Sequence, residues 1–149
     1  MDASIDGVKV AGTPNGPVPV VLLAVAGSDD LLPIFVGFDE AVAIRRGLDA
    51  EDIGRPLTHD LLLDVMEELG GRVERVVVSE LREGTYIADL HIATPRDSVV
   101  VDARPSDSLA LAARTNAPIE VSEEVFEDGR ELPEEFEELR DLREVVEDA

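Results

Sequence analysis

The sequence predicts an α+β domain: a mostly antiparallel sheet of about six strands packed with three helices, plus an acidic C-terminal helix. Strand-like apolar runs come in two groups, and segments with helical spacing lie between and after them. Neither an internal repeat nor the Walker or G-x-G-x-x-G loop of a doubly wound nucleotide-binding sheet is present. With 149 residues, 44% of them hydrophobic, the chain is long enough for one domain with its own core.

Three strands are expected to open the chain as a meander. Ser4–Ala11 alternates in part, and the turn sequence Thr-Pro-Asn-Gly-Pro at 13–17 follows it. Val18–Ala26 is an almost continuous run of apolar and β-branched residues, and the turn at 27–30 leads into Leu31–Val36.

Three segments have the spacing of helices. Asp39 is positioned to cap a helix over Glu40–Leu48, and Thr58 to cap a second helix that ends at Gly70-Gly71. The apolar stripe of that second helix comprises Leu61, Leu62, Val65, Met66 and Leu69. Pro105 is expected at the first position of the third helix, because its fixed φ suits a helix start.

Further strands follow the second helix. They are Val73–Leu81, Thr85–Ala93, Ser98–Asp102 and a short segment, Pro118–Val121. Val18–Ala26 and Val73–Val78 are apolar on both faces, whereas three helices can cover only part of a six-stranded sheet. We therefore expect self-association, as a homodimer or a higher homo-oligomer.

The composition changes toward glutamate at residue 122. We divide the chain into a domain over residues 1–121 and an acidic extension over residues 122–149. Residues 120–149 together carry a net charge of -11. Apolar residues still recur at helical spacing in the extension, which predicts an amphipathic helix that docks on the domain or on a partner. A solvated, frayed helix is the alternative.

The charge of the chain is strongly negative, with 34 acidic residues against 13 basic ones and a net charge of -21. Twelve of the bases are arginine and one is lysine, a pattern that favours a halophilic source, because high salt screens self-repulsion. An ordinary acidic protein is the alternative. Without cysteine, a basic leader or an apolar run long enough to span a membrane, the chain is expected to be cytoplasmic.

His59 is one of two histidines and the one with a candidate chemical role. It stands between Thr58 and Asp60 at a predicted helix start, where backbone amides favour anions, and it can act as a general base or as a metal ligand. A histidine in a capping turn is the alternative. His91 falls on the polar face of a strand.

The segment Asp102–Asp107 forms a second candidate cluster, where a strand passes directly into a helix. Its two carboxylates could bind Mg²⁺ or Mn²⁺, and Arg104 could bind a phosphate with two hydrogen bonds. The same residues are also ordinary helix-start signals, and Arg104 could simply pair with Asp107. Glu40 is a weaker candidate in the first turn of another helix.

Four motifs, taken in order, resemble those of the bifunctional nuclease domain family. They are Leu32–Gly37, Glu40–Ile44, Arg55–Leu61 with R-P-L-T-H-D-L, and Asp102–Ala112 with D-A-R-P-S-D-S-L-A-L-A. The resemblance covers about residues 4–121 and leaves the acidic extension outside. It implies DNase and RNase activity, and hence a nuclease that hydrolyses phosphodiester bonds of nucleic acid.

The site is interpreted from the positions of these motifs. The catalytic set is His59, Asp60, Arg104 and Ser106; the phosphate-binding set is Arg55 and Arg104; the ligands of a divalent cation, Mg²⁺ or Mn²⁺, are Asp60, Asp102 and Asp107. We expect both motifs to converge in space, with His59, Asp60, Asp102, Arg104 and Asp107 close together, because both begin helices after proline-containing turns. The alternative function is a non-enzymatic module that binds an anionic small molecule or a protein partner.

Overall fold

A mostly antiparallel sheet forms the frame of the protein in the computed structural model, which describes residues 1–51 and 57–146. Its strands are β1 (Asp2–Thr13), β2 (Gly16–Val25), β3 (Leu31–Phe35), β4 (Arg72–Arg82), β5 (Thr85–Ala93), β6 (Ser98–Ala103), β7 (Ile119–Val121) and β8 (Arg140–Asp141). Its helices are α1 (Phe38–Leu48), α2 (Thr58–Glu68), α3 (Pro105–Thr115), α4 (Glu123–Gly129) and α5 (Leu142–Val146), with a 3₁₀ helix at Pro133–Phe136.

Seven strands lie in the order β3-β2-β1-β7-β4-β5-β6, and β8 pairs with β1 beside this path. Each neighbouring pair is antiparallel except β4 and β7. The predicted α+β class, the six main strands and the three helices are confirmed, and the short segment before residue 122 is the seventh strand. The sheet has more strands than predicted because the C-terminal region adds β8.

The helix starts differ from the predicted ones by one or two residues. Gly37 rather than Asp39 precedes α1, and Leu57 rather than Thr58 precedes α2. The carboxylate of Asp60 accepts a hydrogen bond from the backbone N–H of Leu57 at 3.1 Å, which fixes the start of α2 at Thr58. Pro105 begins α3, as predicted.

Residues 122–146 do not form the single amphipathic helix that the sequence predicted. α4 ends at Gly129, Arg130 is extended, and Pro133 starts the 3₁₀ helix, so the helical spacing of the sequence spans several short elements. Phe126 and Leu142 are buried in the main core. The proposed boundary after residue 121 stays a prediction, but these residues contribute to the same core.

The two faces of β2 are both covered. Val21 and Leu23 lie in the main core between the sheet and the helices. Val20 and Leu22 belong to a second buried cluster with Phe136 of the C-terminal region. The apolar faces of β2, which suggested self-association, are therefore not exposed, because the C-terminal region covers the face that the helices leave open.

α2 is the helix whose apolar face remains exposed to solvent. Leu63 and Met66 pack against the core, but most of the predicted apolar stripe points away from it and is exposed. Among the described residues, no helix is both long and apolar enough to cross a membrane.

Candidate functional site

The two predicted motifs meet at the carboxylate of Asp107. His59, in the first turn of α2, has its Nε2 atom 3.0 Å from Oδ1 of Asp107, in the first turn of α3. Arg104, which precedes α3, donates from Nε to Oδ2 of the same carboxylate at 2.9 Å. The predicted convergence is confirmed for three of the five residues, His59, Arg104 and Asp107, which we call the motif cluster.

Local structure explains how the cluster forms. β6 ends at Ala103, and Arg104 keeps an extended backbone with φ −66° and ψ 143° before Pro105 begins α3. Asp107 thereby lies in the first turn of a helix, where the backbone N–H groups and the helix dipole stabilise a negative charge. The alternative reading of Arg104 and Asp107 as an ordinary helix-start pair also describes this geometry.

The environment of Asp107 keeps it ionised. Partial burial favours the neutral acid, but the hydrogen bonds from Arg104 and His59 outweigh burial, so the pKa of Asp107 lies below its ordinary value. An ionised carboxylate only accepts hydrogen bonds, so Nε2 of His59 carries the proton. In the neutral ring Nδ1 is then an acceptor, with no hydrogen-bond partner among residues 1–51 and 57–146, which is the arrangement that a general base requires.

Arg104 links the motif cluster to Glu40. Its side chain is 67% exposed, and Nη1 lies 3.4 Å from Oε1 of Glu40 in the first turn of α1. The hydrogen bond to Asp107 raises the pKa of Arg104, which stays charged. An exposed guanidinium between two carboxylates can exchange one of them for a phosphate.

Asp60 points away from this cluster. Its Oδ1 accepts from Nε of Arg114 at 2.7 Å, and the side chain of Arg114 is only 9% exposed. Arg114 also donates to the backbone carbonyls of Ala43 in α1 and Ala110 in α3, each at 2.8 Å. Burial opposes ionisation of Asp60, but the bonds from Arg114 and from the backbone of Leu57 lower its pKa overall. Through Arg114, Asp60 therefore connects α2 to α3 and α1.

Arg114 was missed by the sequence analysis. The sequence contains one signal for it, an arginine in the last turn of a helix, where the dipole favours a cation. That signal identifies neither Asp60 nor the two carbonyl groups as its partners.

Asp102 and Ser106 line a cavity of about 590 Å³ beside the motif cluster. Other lining residues include Phe35, Glu40, Tyr86 and Arg104. Burial, followed by the charge of Glu131, raises the pKa of Tyr86, whose hydroxyl stays a donor at neutral pH. Arg104 is the one member of the motif cluster that reaches this cavity.

The carboxylates predicted to bind a cation do not form one ligand set. Asp60 and Asp107 are bound by different arginines, and Asp102 lies on β6. Within residues 1–51 and 57–146, no three acidic or histidine side chains are grouped so that they could hold a metal ion. Mg²⁺ and Mn²⁺ prefer oxygen ligands, and the described side chains alone do not supply a set of three, so a divalent cation stays a prediction. Arg55, predicted to bind phosphate, lies outside the described residues.

Comparison with known proteins decides the family. The model of the bifunctional nuclease domain matches residues 20–133, which include both motifs. The chain belongs to the bifunctional nuclease domain family. The match also includes residues 122–133, the first part of the acidic extension.

Individual relatives agree with this family. The chain is 39% identical over 138 residues to the uncharacterized protein Rv1829 of Mycobacterium tuberculosis, covering 92% of this chain and 81% of that protein. It is 30% identical over 106 residues to Bifunctional nuclease 2 of Arabidopsis thaliana, covering 69% of this chain and 32% of that protein. For Bifunctional nuclease 2 of Oryza sativa subsp. japonica the identity is 29% over 111 residues, 72% of this chain and 34% of that protein. The chain thus spans about a third of these plant relatives.

Proposed function

We propose that this protein is a nuclease that hydrolyses phosphodiester bonds of DNA, RNA or both at the motif cluster. One observation carries the proposal: His59 and Arg104, from two distant family motifs, bind opposite oxygens of the same carboxylate, Asp107. A base and a cation are thereby held side by side, which is what attack on a phosphate ester needs. The names of the plant relatives support the same activity.

Each residue of the cluster has a distinct part in the proposed reaction. Nδ1 of His59 takes the proton from the attacking water or ribose hydroxyl, and Asp107 holds the ring and stabilises the imidazolium that forms. Arg104 leaves one carboxylate partner to bind the phosphate that is attacked. Ser106 at the start of α3 donates to a flanking phosphate oxygen, and Arg55 binds the next phosphate.

The divalent cation is a separate part of the proposal. Because the described carboxylates do not fit one cation, the proton transfer and phosphate binding are assigned to side chains of this chain. Addition of EDTA, and then of Mg²⁺ or Mn²⁺, tests whether a cation takes part.

The negative charge of the protein limits how the substrate binds. A net charge of -21 repels the phosphate backbone at low salt, whereas high salt screens that repulsion and the attraction to arginine alike. Binding must therefore depend on few phosphates at the cavity rather than on a broad basic surface, and the salt concentration belongs in the assay design.

The test uses purified protein and end-labelled single-stranded and double-stranded DNA and RNA in molar KCl. We expect cleavage, and a loss of about 100-fold or more in His59→Ala and Asp107→Asn, as is typical for removal of a general base or its partner. His91→Ala is the matched control because it removes the other histidine, which lies near the end of β5, and it should cleave like the wild type.

Cleavage that survives in His59→Ala at the wild-type rate would assign the activity to a contaminant. The proposal would then give way to a module that binds anions without catalysis, which the exposed Arg104 at a 590 Å³ cavity favours. That function predicts nucleotide binding in calorimetry that Arg104→Ala abolishes.

A further inference from the structure

An apolar stripe on α2 faces outward. Its members are Leu61, Leu62, Val65 and Leu69, and each is exposed, up to 76% for Leu69. They recur at the spacing i, i+1, i+4 and i+8, and so share one side of the helix. Three acids of this helix, Asp60, Asp64 and Glu67, fall on other sides, whereas Glu68, seven residues after Leu61, borders the stripe. An exposed apolar stripe with one acid at its border is unexpected in a protein with this much negative charge.

β6 is an edge strand, and it too exposes apolar side chains. It ends the order of strands and pairs with β5 alone within the described part of the chain. Val99, Val100 and Val101 are exposed, and no charged residue interrupts them. The opposite edge, β3, contains Pro33 and is bridged at Leu31 by Glu131, two devices that block pairing.

The two ends of α2 lie near residues that flank the two ends of β6. At the start of α2, His59 bonds to Asp107, shortly after β6; at its end, Gly70 lies against Pro95, shortly before β6. Val99 and Val101 pair with Ile92 and Leu90, whose side chains face the helices. We call the outward stripe of α2 together with β6 the α2–β6 surface.

We propose that a second copy of this chain covers the α2–β6 surface, with the two β6 strands pairing antiparallel around a two-fold axis at Val100. This register places Val100 opposite Val100 and Val99 opposite Val101, so every valine gains an apolar partner. The two sheets become continuous, and the stripe of each α2 packs against the other copy. The proposal does not depend on nuclease activity.

The charged residues near the two ends of β6 favour a second copy of the chain in this register. Arg96 and Asp102 lie near opposite ends of β6, and neither has an ion-pair partner among the described residues. In the antiparallel pair, Asp102 stands opposite Ser98 of the other copy, with Arg96 of that copy at the diagonal position within reach of a long side chain. The two-fold axis forms this pair twice, so the surface is complementary to itself.

The first test measures mass in molar KCl by light scattering after gel filtration. We expect the wild type at twice the 16.1 kDa mass of the chain. Val100→Arg should halve the mass, because two arginines would meet on the axis, and Val65→Arg should weaken the dimer at least tenfold. Leu132→Arg is the control: Leu132 is 57% exposed, like Val100 at 58%, but lies in the C-terminal region, and this variant should stay dimeric.

The second test determines the register. Because the chain has no cysteine, Val100→Cys introduces a single thiol, and paired strands bring its two copies within disulfide range. Oxidation should cross-link Val100→Cys and leave Val99→Cys and Leu132→Cys monomeric on a denaturing gel. A monomeric wild type, a dimer that Val100→Arg and Val65→Arg leave intact, or cross-linking of Val99→Cys instead would each overturn the proposal.

Discussion

Two aspartates, one at the start of α2 and one at the start of α3, each bind an arginine in opposite surroundings. Asp60 meets the buried Arg114, which also holds two backbone carbonyls, whereas Asp107 meets the exposed Arg104 beside a cavity. His59 and Asp60 are neighbours in the chain, yet they belong to different pairs. The two aspartates are about equally exposed, at 38% and 34%, so the difference lies in their partners: Arg114 is 9% exposed and connects helices, whereas Arg104 is 67% exposed and can reach a ligand.

The concentration of salt should have the largest effect. Screening weakens exposed pairs such as Arg104 and Asp107, but it also weakens repulsion within a chain of net charge -21. We expect repulsion to dominate, so that lowering KCl from molar to millimolar reduces the thermal midpoint by about 10 °C or more. Calorimetry over a KCl series measures this. A midpoint that is constant, or higher at low salt, would contradict the halophilic interpretation.

Arg114→Met should break the buried pair. It leaves the charge of Asp60 and the carbonyls of Ala43 and Ala110 without their donor, which costs about 3 kcal/mol of unfolding free energy. For a chain of this length that corresponds to about 6 to 12 °C in the thermal midpoint. Arg104→Met is the matched control at the exposed pair and should cost less than about 1 kcal/mol. Equal losses in both variants would refute the distinction between the pairs.

The pH dependence of the stability that Asp60 contributes should be a smaller effect than the two above. The pKa of Asp60 lies below its ordinary 3.8 in the folded protein, so its contribution to stability is complete above that value and disappears as the pH falls through the folded pKa. Asp60→Asn should therefore be less stable than the wild type at pH 7, and the difference should shrink as the pH falls below 3.8. Urea unfolding at several pH values tests this; a difference that is constant down to pH 2 contradicts it.

Local patterns predicted most of the fold. Pro105 after a β-branched strand, and glycines after the stripe of α2, mark boundaries that depend on the few residues around them. The meeting of His59 with Asp107 was also predictable, because helix starts gather at one edge of such a layer. Each of these features depends either on residues that are close together in the sequence or on a general rule of topology.

The contacts that sequence did not predict are specific and distant. Arg114 finds Asp60 across 54 positions, and nothing near either residue identifies the other. In the C-terminal region the spacing was helical, but Gly129 and Pro133 interrupt the helix, and packing of Phe126 and Phe136 on different parts of the sheet determined the outcome. Helical spacing shows which residues are apolar, but it does not show which part of the sheet each of them will cover.

The residues that cover the second face of β2 are synthesised last, which affects how the chain folds during its synthesis. Val20 and Leu22 are made early, whereas Phe136 and Leu139, which complete their cluster, leave the ribosome more than 100 residues later. Until then an apolar surface of the nascent chain faces solvent, and the last step of folding closes a loop that spans most of the sequence. The acidic residues around Phe136 leave the ribosome with it, so their mutual repulsion keeps full-length chains apart while this last segment docks.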